Sequence, residues 1–383
     1  MRFSRVILTR VNNETISQTE RRDRLRLIRT ETIGPVTWRE LMGHFGSAGD
    51  AIEALPDFAG RAGKRNIKIG SAEDAERELD RLTELGARTV TLGEPDYPTA
   101  LAAIDDAPPV ISLRGKISAL NKTGIAIVGA RNASANGRRV AEVLASELSA
   151  DPGVTIVSGL ARGIDTAAHA GSIVSGGTTI AVVAGGVDIV YPTENEDLYE
   201  NIIETGVIVS EMPPGLKPQA RHFPRRNRIV SGLSLAVIVV EAAQRSGSLI
   251  TARLAGEQGR AVLAVPGSPL DPRAFGANHL IREGAILVRN AEDVFEAVRP
   301  MVTPTTPRAE TPSPRSRAPV LDLDSTGTDS RETVISCLSP EPVAVDEIVR
   351  RCQLTAPVVR TILLELELAG RLERHPGNRV AAC

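Results

Sequence analysis

Cysteine and long apolar runs are scarce in this sequence, and their scarcity excludes several classes of protein. The 383 residues include three cysteines, Cys337, Cys352 and Cys383, which lie near the C-terminus without the spacing of a metal site. A disulfide framework is therefore not expected, and we predict a cytoplasmic protein. No run approaches the roughly eighteen apolar residues of a membrane helix, and the N-terminus lacks a signal-peptide core, so we predict no membrane insertion.

Acidic residues are missing from one long stretch. The whole chain has a formal net charge of −2, which gives no argument for indiscriminate nucleic-acid binding. Between Met212 and Val240, however, there is no Asp or Glu, and the basic residues are Lys217, Arg221, Arg225, Arg226 and Arg228. So many guanidinium groups exceed what one phosphate needs, which favours a polyanion as the ligand. The alternative is a solvated loop whose arginines pair with acids elsewhere.

The pattern along the chain predicts three folded domains. The predicted segments are a polar leader at 1–17, a helical domain at 18–95, an extended α/β domain at 96–298, a proline-rich linker at 299–325 and a winged helix-turn-helix domain at 326–383. In the helical domain, Thr32–Thr37 is a Gly-Pro turn like the phosphate-holding turn of helix-hairpin-helix modules, although a plain interhelical turn is the favoured interpretation. In the last domain, Thr355 is the predicted N-cap of the third helix.

The sequence pattern of the central domain predicts a doubly wound, mostly parallel sheet. The predicted strands are Ile125–Val128, Val154–Val157, Thr179–Val183, Val207–Val209, Leu235–Val240, Ala261–Val265 and Ala285–Val288. They are rich in Val, Ile and Ala without in-out alternation, which is typical of parallel strands covered by helices on both faces. Ligands in such sheets bind beyond the carboxyl ends of the strands.

Small and polar residues follow these strands. Glycine permits close approach of the backbone, helix N-termini favour phosphate, and arginine adds a charged fork. The residues predicted to meet the ligand at one rim are Gly129, Arg131, Ser158, Gly159, Arg162, Gly163, Arg245, Ser246, Gly247 and Ser248, together with Phe223, Arg225, Arg226, Asn227 and Arg228.

Catalytic patterns are poorly represented. The loop after the first predicted parallel strand lacks the second and third glycines of G-x-G-x-x-G, and there is no G-x-x-x-x-G-K-[ST] loop. Asp165 and His169 lie four apart on a predicted helix, where a first-turn acid and a packed histidine are favoured over an acid/base pair. Glu211 and Glu241 end buried strands and are expected to orient arginines. We therefore predict no enzyme activity, no metal and no cofactor.

The predicted recognition helix of the winged helix carries few groups that read DNA. Ala356–Ala369 offers Arg360 and carries Glu365 and Glu367, and residues 329–383 contain eight acids against seven bases. Base readout needs Lys, Arg, Asn or Gln. A protein-contact or regulatory role is therefore favoured over sequence-specific DNA reading.

Several motifs together resemble the bacterial DNA-processing protein A family, also called Smf. They are, in order, Gly129–Arg131, Ser158–His169, Phe223–Ser234, Arg245–Ala252, Ala264–Gly267 and Asn278–Ile281. The resemblance implies an extended Rossmann-like central domain, an N-terminal domain of the sterile-alpha-motif type and a C-terminal winged helix. It also implies a protein that binds and protects single-stranded DNA during natural transformation, helps to load the RecA recombinase and dimerises through its central domain. By the matched motifs, Arg131 and the basic residues of 225–228 would hold the DNA backbone.

The sequence leaves open the role of one side chain and two alternative classes of function. Phe223, the one aromatic residue of the basic stretch, is predicted either to stack on a base or to fill the core before Pro224. An enzyme of the phosphoribohydrolase type would also have glycine-rich strand ends, but Ala184–Asp188 lacks that family's loop-glutamate unit. A nucleotide-sensing winged-helix regulator is disfavoured by the weakly basic recognition helix.

Overall fold

The computed structural model describes residues 16–61, 67–302, 328–375 and 377–383. These residues form two units. The first runs from residue 78 to 302, and the second combines residues 16–61 and 67–77 with residues 328–383. Nearly all of the predicted leader, and residues 303–325 of the predicted linker, lie outside the described residues.

The described residues contain fifteen α-helices. In chain order they are α1 (Gln18–Arg29), α2 (Pro35–Phe45), α3 (Ala48–Arg61), α4 (Ala72–Glu84), α5 (Thr99–Ala102), α6 (Ala135–Ser149), α7 (Ile164–Val174), α8 (Glu196–Thr205), α9 (His222–Gly232), α10 (Gly247–Glu257), α11 (Phe275–Arg282), α12 (Ala291–Val302), α13 (Thr328–Ser336), α14 (Val345–Cys352) and α15 (Ala356–Leu368).

A nine-stranded sheet forms the centre of the first unit. Its strands are β1 (Ala87–Thr91), β2 (Val110–Gly115), β3 (Thr123–Val128), β4 (Val154–Ser158), β5 (Thr179–Val182), β6 (Val207–Ser210), β7 (Ala236–Val239), β8 (Ala261–Ala264) and β9 (Ile286–Leu287). They lie in the order β1-β2-β6-β5-β4-β3-β7-β8-β9. In this spatial order, all neighbouring strands from β6 across to β9 are parallel, and β2 pairs antiparallel with both β1 and β6. The mostly parallel, doubly wound sheet is as predicted.

Strand β3 shows why the apolar runs lack alternation. Ile125 and Ile127 pack on one face of the sheet in a cluster with Leu144 of α6. Ala126 packs on the other face in a cluster with Ile229 of α9. Since both faces are covered, every position from Ile125 to Val128 is apolar.

The direction of the chain reverses at β3. From β3 it passes outward through β4, β5 and β6, and it then returns to β7 on the other side of β3 and continues to β8 and β9. The connections that follow β3 and β7 therefore diverge, which leaves a crevice at the carboxyl ends of these two strands.

Three elements differ from the prediction. Strand β1 lies inside the predicted helical domain, yet Ala87 pairs with Arg114 of β2, so the sheet begins before residue 96. Helix α9 occupies the basic stretch, which was not predicted as helical; its Pro224 lies in the first turn, where a missing N–H is tolerated. Helix α12 continues through Pro300 to Val302, into the predicted linker.

The second unit contains a winged helix. After α13 and α14, α15 is followed by β11 (Leu372–His375) and β12 (Arg379–Ala382), and β10 (Val343–Ala344) pairs with β12. This order confirms the predicted winged helix-turn-helix. Thr355 occupies the N-cap position of α15, as predicted, although its side chain accepts no capping hydrogen bond.

Candidate functional site

Two adjoining cavities lie at the carboxyl ends of the parallel strands, and we call them together the strand-end crevice. The larger, of about 670 Å³, is lined by residues that follow β3 and β7, and the smaller, of about 350 Å³, by residues that follow β4 and β5. The predicted site residues that line the crevice are Gly129, Arg131, Gly159, Arg162, Phe223, Arg226, Asn227, Arg245, Ser246, Gly247 and Ser248. The strand order thus brings together residues more than one hundred positions apart in sequence.

Four predicted site residues do not line the crevice. The buried Ser158 hydroxyl donates to the Ile127 carbonyl at 2.7 Å, and Gly163 has a φ of 81° in a place where a Cβ would collide with the Ala130 carbonyl. Both residues shape the turn between β4 and α7. Arg225 is exposed but lies outside the lining of both cavities.

Arg228 is the fourth. Its side chain is 7% exposed, pairs with Glu211 and lies with its Nε 3.7 Å from Asp106 Oδ2. The expectation that the arginines of 225–228 all share one rim is therefore wrong for Arg228, because acids from two other segments neutralise it. The expectation that Glu211 orients an arginine is confirmed.

Arg226 lines the crevice, but its guanidinium group is hydrogen-bonded to the protein's own backbone. It is buried, and its Nη1 donates to the carbonyls of Val182, at 2.6 Å, and Gly159. Asp165 Oδ2 accepts from the amides of Gly159 (3.0 Å) and Ala161 (3.4 Å). Burial raises the pKa of Asp165, and the charge of Arg226 opposes that rise. Arg226 therefore fixes the ends of β4 and β5 and forms the floor of the crevice, rather than extending from its rim.

Glu241 holds the loop that follows β3. Its carboxylate accepts from the Ser134 amide at 2.9 Å and from the Ser134 hydroxyl at 2.6 Å, and that hydroxyl accepts from the Gly137 amide at 2.9 Å to cap α6. A Cβ on Gly137 would lie 2.5 Å from the Glu241 carboxyl carbon, so glycine is required there. The prediction that Glu241 orients an arginine is wrong, since the carboxylate binds a helix cap instead.

An arginine–aromatic stack stands between the two cavities. The Arg131 guanidinium carbon lies 4.7 Å from the centroid of the Phe223 ring, and the centroids of the Tyr191 and Phe223 rings are 5.9 Å apart. Phe223 is partly exposed and lines both cavities. The alternative that Phe223 fills the core is therefore wrong. The stack offers a cation and two aromatic rings to one ligand.

The N-terminus of α10 contributes backbone donors to the larger cavity. Ser246 is the N-cap residue, and Gly247 and Ser248 form the first turn beside the exposed Arg245. The Ser248 amide donates to the capping Ser246 Oγ at 3.4 Å, and the Gly247 amide and the positive end of the helix dipole favour an anion here. Together with Arg131 and Arg245, this helix end gives the crevice its positive character.

Among the lining residues that were not predicted as site residues, Tyr191 and Arg273 carry side chains suited to a nucleic acid. Tyr191 is 50% exposed beyond the end of β5, and Arg273 lines the larger cavity while its guanidinium pairs with Asp271 at 3.0 Å. The signal for Tyr191 was an aromatic residue beside a proline at a strand end. Arg273 carries no such signal, because it comes from the irregular segment between β8 and α11.

His169 is a packed histidine, as predicted. The Thr179 hydroxyl donates to the Ile156 carbonyl at 2.8 Å, so the His169 Nδ1–H donates to Thr179 Oγ1 at 2.7 Å. The Nε2 atom is buried without a hydrogen-bond partner. Burial, aided by the charge of Arg226, lowers the pKa of His169 to about 3, so the ring is neutral at pH 7.

This buried neutral ring predicts an acid-sensitive first unit. The unfolded chain binds a proton at His169 below about pH 6.5 and the native state does not, so its contribution to stability is complete above that pH and is lost toward pH 3. At pH 5 we expect this residue to cost about 2 kcal/mol of unfolding free energy. Chemical unfolding of wild type and His169→Gln at pH 7.5 and pH 5 measures the difference. The exposed-site variant His279→Gln is the control, and equal pH dependence of wild type and His169→Gln would contradict the prediction.

None of the helices in the described part of the chain has the length and apolar character needed to span a membrane. Nor does that part of the chain contain a group of three or more His, Cys, Asp or Glu side chains arranged to hold a metal ion.

Three family models match the sequence. Residues 88–299 match the model described as DNA recombination-mediator protein A. Residues 18–80 match a DprA-like N-terminal HHH domain, and residues 304–378 match a DprA winged helix domain.

Individual relatives agree with the family models. The chain is 48% identical over 221 residues to the DNA processing protein DprA of Bacillus subtilis, which covers 57% of this chain and 74% of the relative. The X-ray structure of DprA from Streptococcus pneumoniae superposes with a TM-score of 0.55 at 40% identity, covering 63% of this chain and 86% of that one. A structure of DprA from Helicobacter pylori, described for its single-stranded DNA binding mode, gives a TM-score of 0.51 at 28% identity, covering 56% and 96%.

Proposed function

Because the chain belongs to the DNA recombination-mediator protein A family, we propose that it binds single-stranded DNA in the strand-end crevice and protects that DNA during natural transformation. The observation that carries this proposal is the convergence of Arg131, Arg245 and the N-terminus of α10 around the partly exposed ring of Phe223. The single-stranded DNA binding described for the Helicobacter pylori relative supports it.

The two kinds of group in the crevice suit the two parts of a single strand. Exposed guanidinium groups and helix amides bind phosphates without regard to sequence. Aromatic faces stack on unpaired bases, which a duplex keeps inside its own stack. We therefore assign Arg131, Arg245 and the Gly247 amide to the DNA backbone, and Phe223, aided by Tyr191, to a base.

We propose a binding role without catalysis. The acidic groups nearest the crevice are committed to the fold: Asp165 to backbone amides, Glu241 to the α6 cap and Glu211 to Arg228. A general base must be free to reach a substrate proton. These commitments also disfavour the phosphoribohydrolase alternative, which needs a free glutamate.

The family resemblance also leads us to propose RecA as the downstream partner. Single-stranded DNA held in the crevice would pass to the recombinase. Stimulation of RecA-driven strand exchange on DNA coated by a single-strand-binding protein tests this step. The proposal fails if addition of the protein leaves the exchange rate unchanged.

A homodimer through the first unit is the second assembly that we propose. Strand β9 is the last strand of the sheet, and its Ile286 and Leu287 are 42% and 41% exposed. An apolar edge strand is a template for pairing with another chain. We expect Ile286→Lys/Leu287→Lys to raise the dimer dissociation constant at least tenfold, as measured by sedimentation velocity. Val174→Lys, at an 83% exposed apolar position on α7, is the control, and an unchanged dimer in the β9 variant would contradict this assignment.

Fluorescence anisotropy of a labelled oligonucleotide tests the main proposal. We expect single-stranded DNA to bind at least tenfold more tightly than the same sequence as a duplex, because only the single strand offers bases for stacking. The logarithm of affinity should fall linearly with the logarithm of salt, by about 0.7 per phosphate contact. Equal affinity for duplex, or no dependence on salt, would refute the proposal.

A further inference from the structure

The recognition helix of the winged helix has two buried faces. Along one face, Val359, Ile362 and Leu366 pack in the core of the winged helix itself. The second face consists of Thr361, Leu364, Glu365 and Leu368, at the spacing i, i+3, i+4 and i+7 of one helical stripe. All four of these residues are 0% exposed, and none belongs to the winged helix's own apolar cluster. Another part of the second unit therefore covers this second face.

The N-terminal helices α1–α3 provide that cover. Helix α3 packs against α15. The Thr32 hydroxyl, in the Gly-Pro turn before α2, donates to the Leu368 carbonyl at 3.3 Å. Arg61, at the end of α3, places its Nη1 3.9 Å from Glu365 Oε1, while the other oxygen of that carboxylate pairs with Arg331 of α13 at 2.5 Å. The turn that resembled a phosphate-holding hairpin thus binds the end of the recognition helix, which agrees with the interhelical interpretation.

The wing of the winged helix is bound to the same helices. Arg374 on β11 places its Nε 2.8 Å from Glu367 Oε2 and its Nη2 2.7 Å from Glu40 Oε2 on α2. The Arg374 side chain is 15% exposed. This wing cation is therefore paired with one acid of α15 and one of α2.

The charges of this interface exclude DNA as its ligand. The covered stripe of α15 presents apolar groups and Glu365, and Glu367 flanks it. A helix that enters the major groove must present donors and cations on that face. Buried acid–arginine pairs, in contrast, give an interface a defined register, and loss of one partner is strongly destabilising.

We propose that the recognition helix and wing form a protein-docking surface whose occupant is the chain's own N-terminal helices, and not a surface that reads duplex DNA. The winged helix holds α1–α3 in cis, through the stripe of α15 and the pairing of Arg374 with Glu40. This inference concerns the second unit and does not depend on DNA binding in the strand-end crevice.

Cleavage of the folded full-length protein tests the docking. A site for a specific protease is placed within residues 303–327, the chain is cut after folding, and the products are separated by gel filtration. We expect the winged-helix fragment to remain bound to the rest of the chain. Glu40→Arg should weaken this association at least a hundredfold, because it leaves Arg374 facing a like charge. Separation of the wild-type fragments at micromolar concentration would overturn the proposal.

A charge-exchange variant distinguishes loss of the Glu40–Arg374 pairing from misfolding of the Glu40→Arg protein. Glu40→Arg/Arg374→Glu keeps one cation between two acids, since Arg at 40 would face Glu at 374 together with Glu367. We expect it to recover at least tenfold of the lost affinity. Arg350→Glu, which reverses an exposed charge on α14, should leave the fragments associated. Failure of the exchange to recover any affinity counts against the proposed pairing.

Duplex binding gives an independent readout. Arg360 is the one residue of Ala356–Leu368 with a basic side chain. If the helix does not read DNA, Arg360→Glu in the intact protein should change duplex affinity less than twofold. A tenfold loss would assign the helix to DNA and overturn the proposal.

Discussion

Replacing Arg131 with alanine should weaken single-stranded DNA binding by about tenfold to a hundredfold. A hydrogen bond to a charged group contributes about 1.5–3 kcal/mol, and one such guanidinium contact is removed. The loss should be similar for every oligonucleotide sequence, because phosphates carry no sequence information. The slope of log affinity against log salt should fall by about one.

The variant also removes the cation that lies over Phe223. Arg131→Lys separates the two effects: it keeps the charge, and hence the salt slope, but loses the planar fork that stacks on the ring. Arg139→Ala is the matched control, since Arg139 is an exposed arginine of α6 outside the crevice that pairs with Glu142. Anisotropy titrations at two salt concentrations measure all four proteins. An Arg131→Ala protein with wild-type affinity and slope would remove Arg131 from the DNA site.

Replacing Arg226 with methionine should destabilise the first unit by about 3–5 kcal/mol. The change deprives the carbonyls of Gly159 and Val182 of their donor and leaves the buried Asp165 carboxylate without its nearby cation. Denaturant unfolding followed by circular dichroism measures the loss. The adjacent and exposed Arg225→Met should cost less than about 0.5 kcal/mol.

A double variant shows the reason for the loss. In Arg226→Met/Asp165→Asn the amide oxygen still accepts from Gly159 and Ala161, but no buried charge remains. We therefore expect the second change to return part of the stability lost in the first, as a non-additive pair. Strictly additive losses would show that Arg226 and Asp165 act independently, contrary to the electrostatic coupling described above.

The sequence predicted the framework of the fold because burial is recorded in it directly. Strands such as Ala236–Val239 are buried and apolar at every position, so a short unalternating run identifies them. Helix α9 was missed because its sequence is dominated by arginines whose burial depends on distant partners. Strand β1 was missed because only its last two residues are buried and it follows α4 almost directly in sequence.

The sequence predicted where the site lies. It did not predict which of the arginines face the cavity and which bind other parts of the protein. The strand ends indicated the crevice, and eleven of the fifteen predicted residues line it. Charge counting cannot separate Arg131, which faces the cavity, from Arg228, whose carboxylate partner Glu211 lies 17 residues earlier. Nor can it identify Arg226 as buried, because its acceptors are backbone carbonyls that any sequence would provide.

The pairing of the chain's two ends also has a consequence for the order of synthesis. Glu40 meets Arg374, 334 residues later, so the N-terminal helices leave the ribosome long before their partner exists. At about 5–20 residues per second this interval is roughly 15–70 seconds. During it the apolar surface of α3 that later faces α15 has no permanent cover. A chain terminated before the winged helix would keep that surface exposed, which would make it a ready substrate for chaperones and proteases.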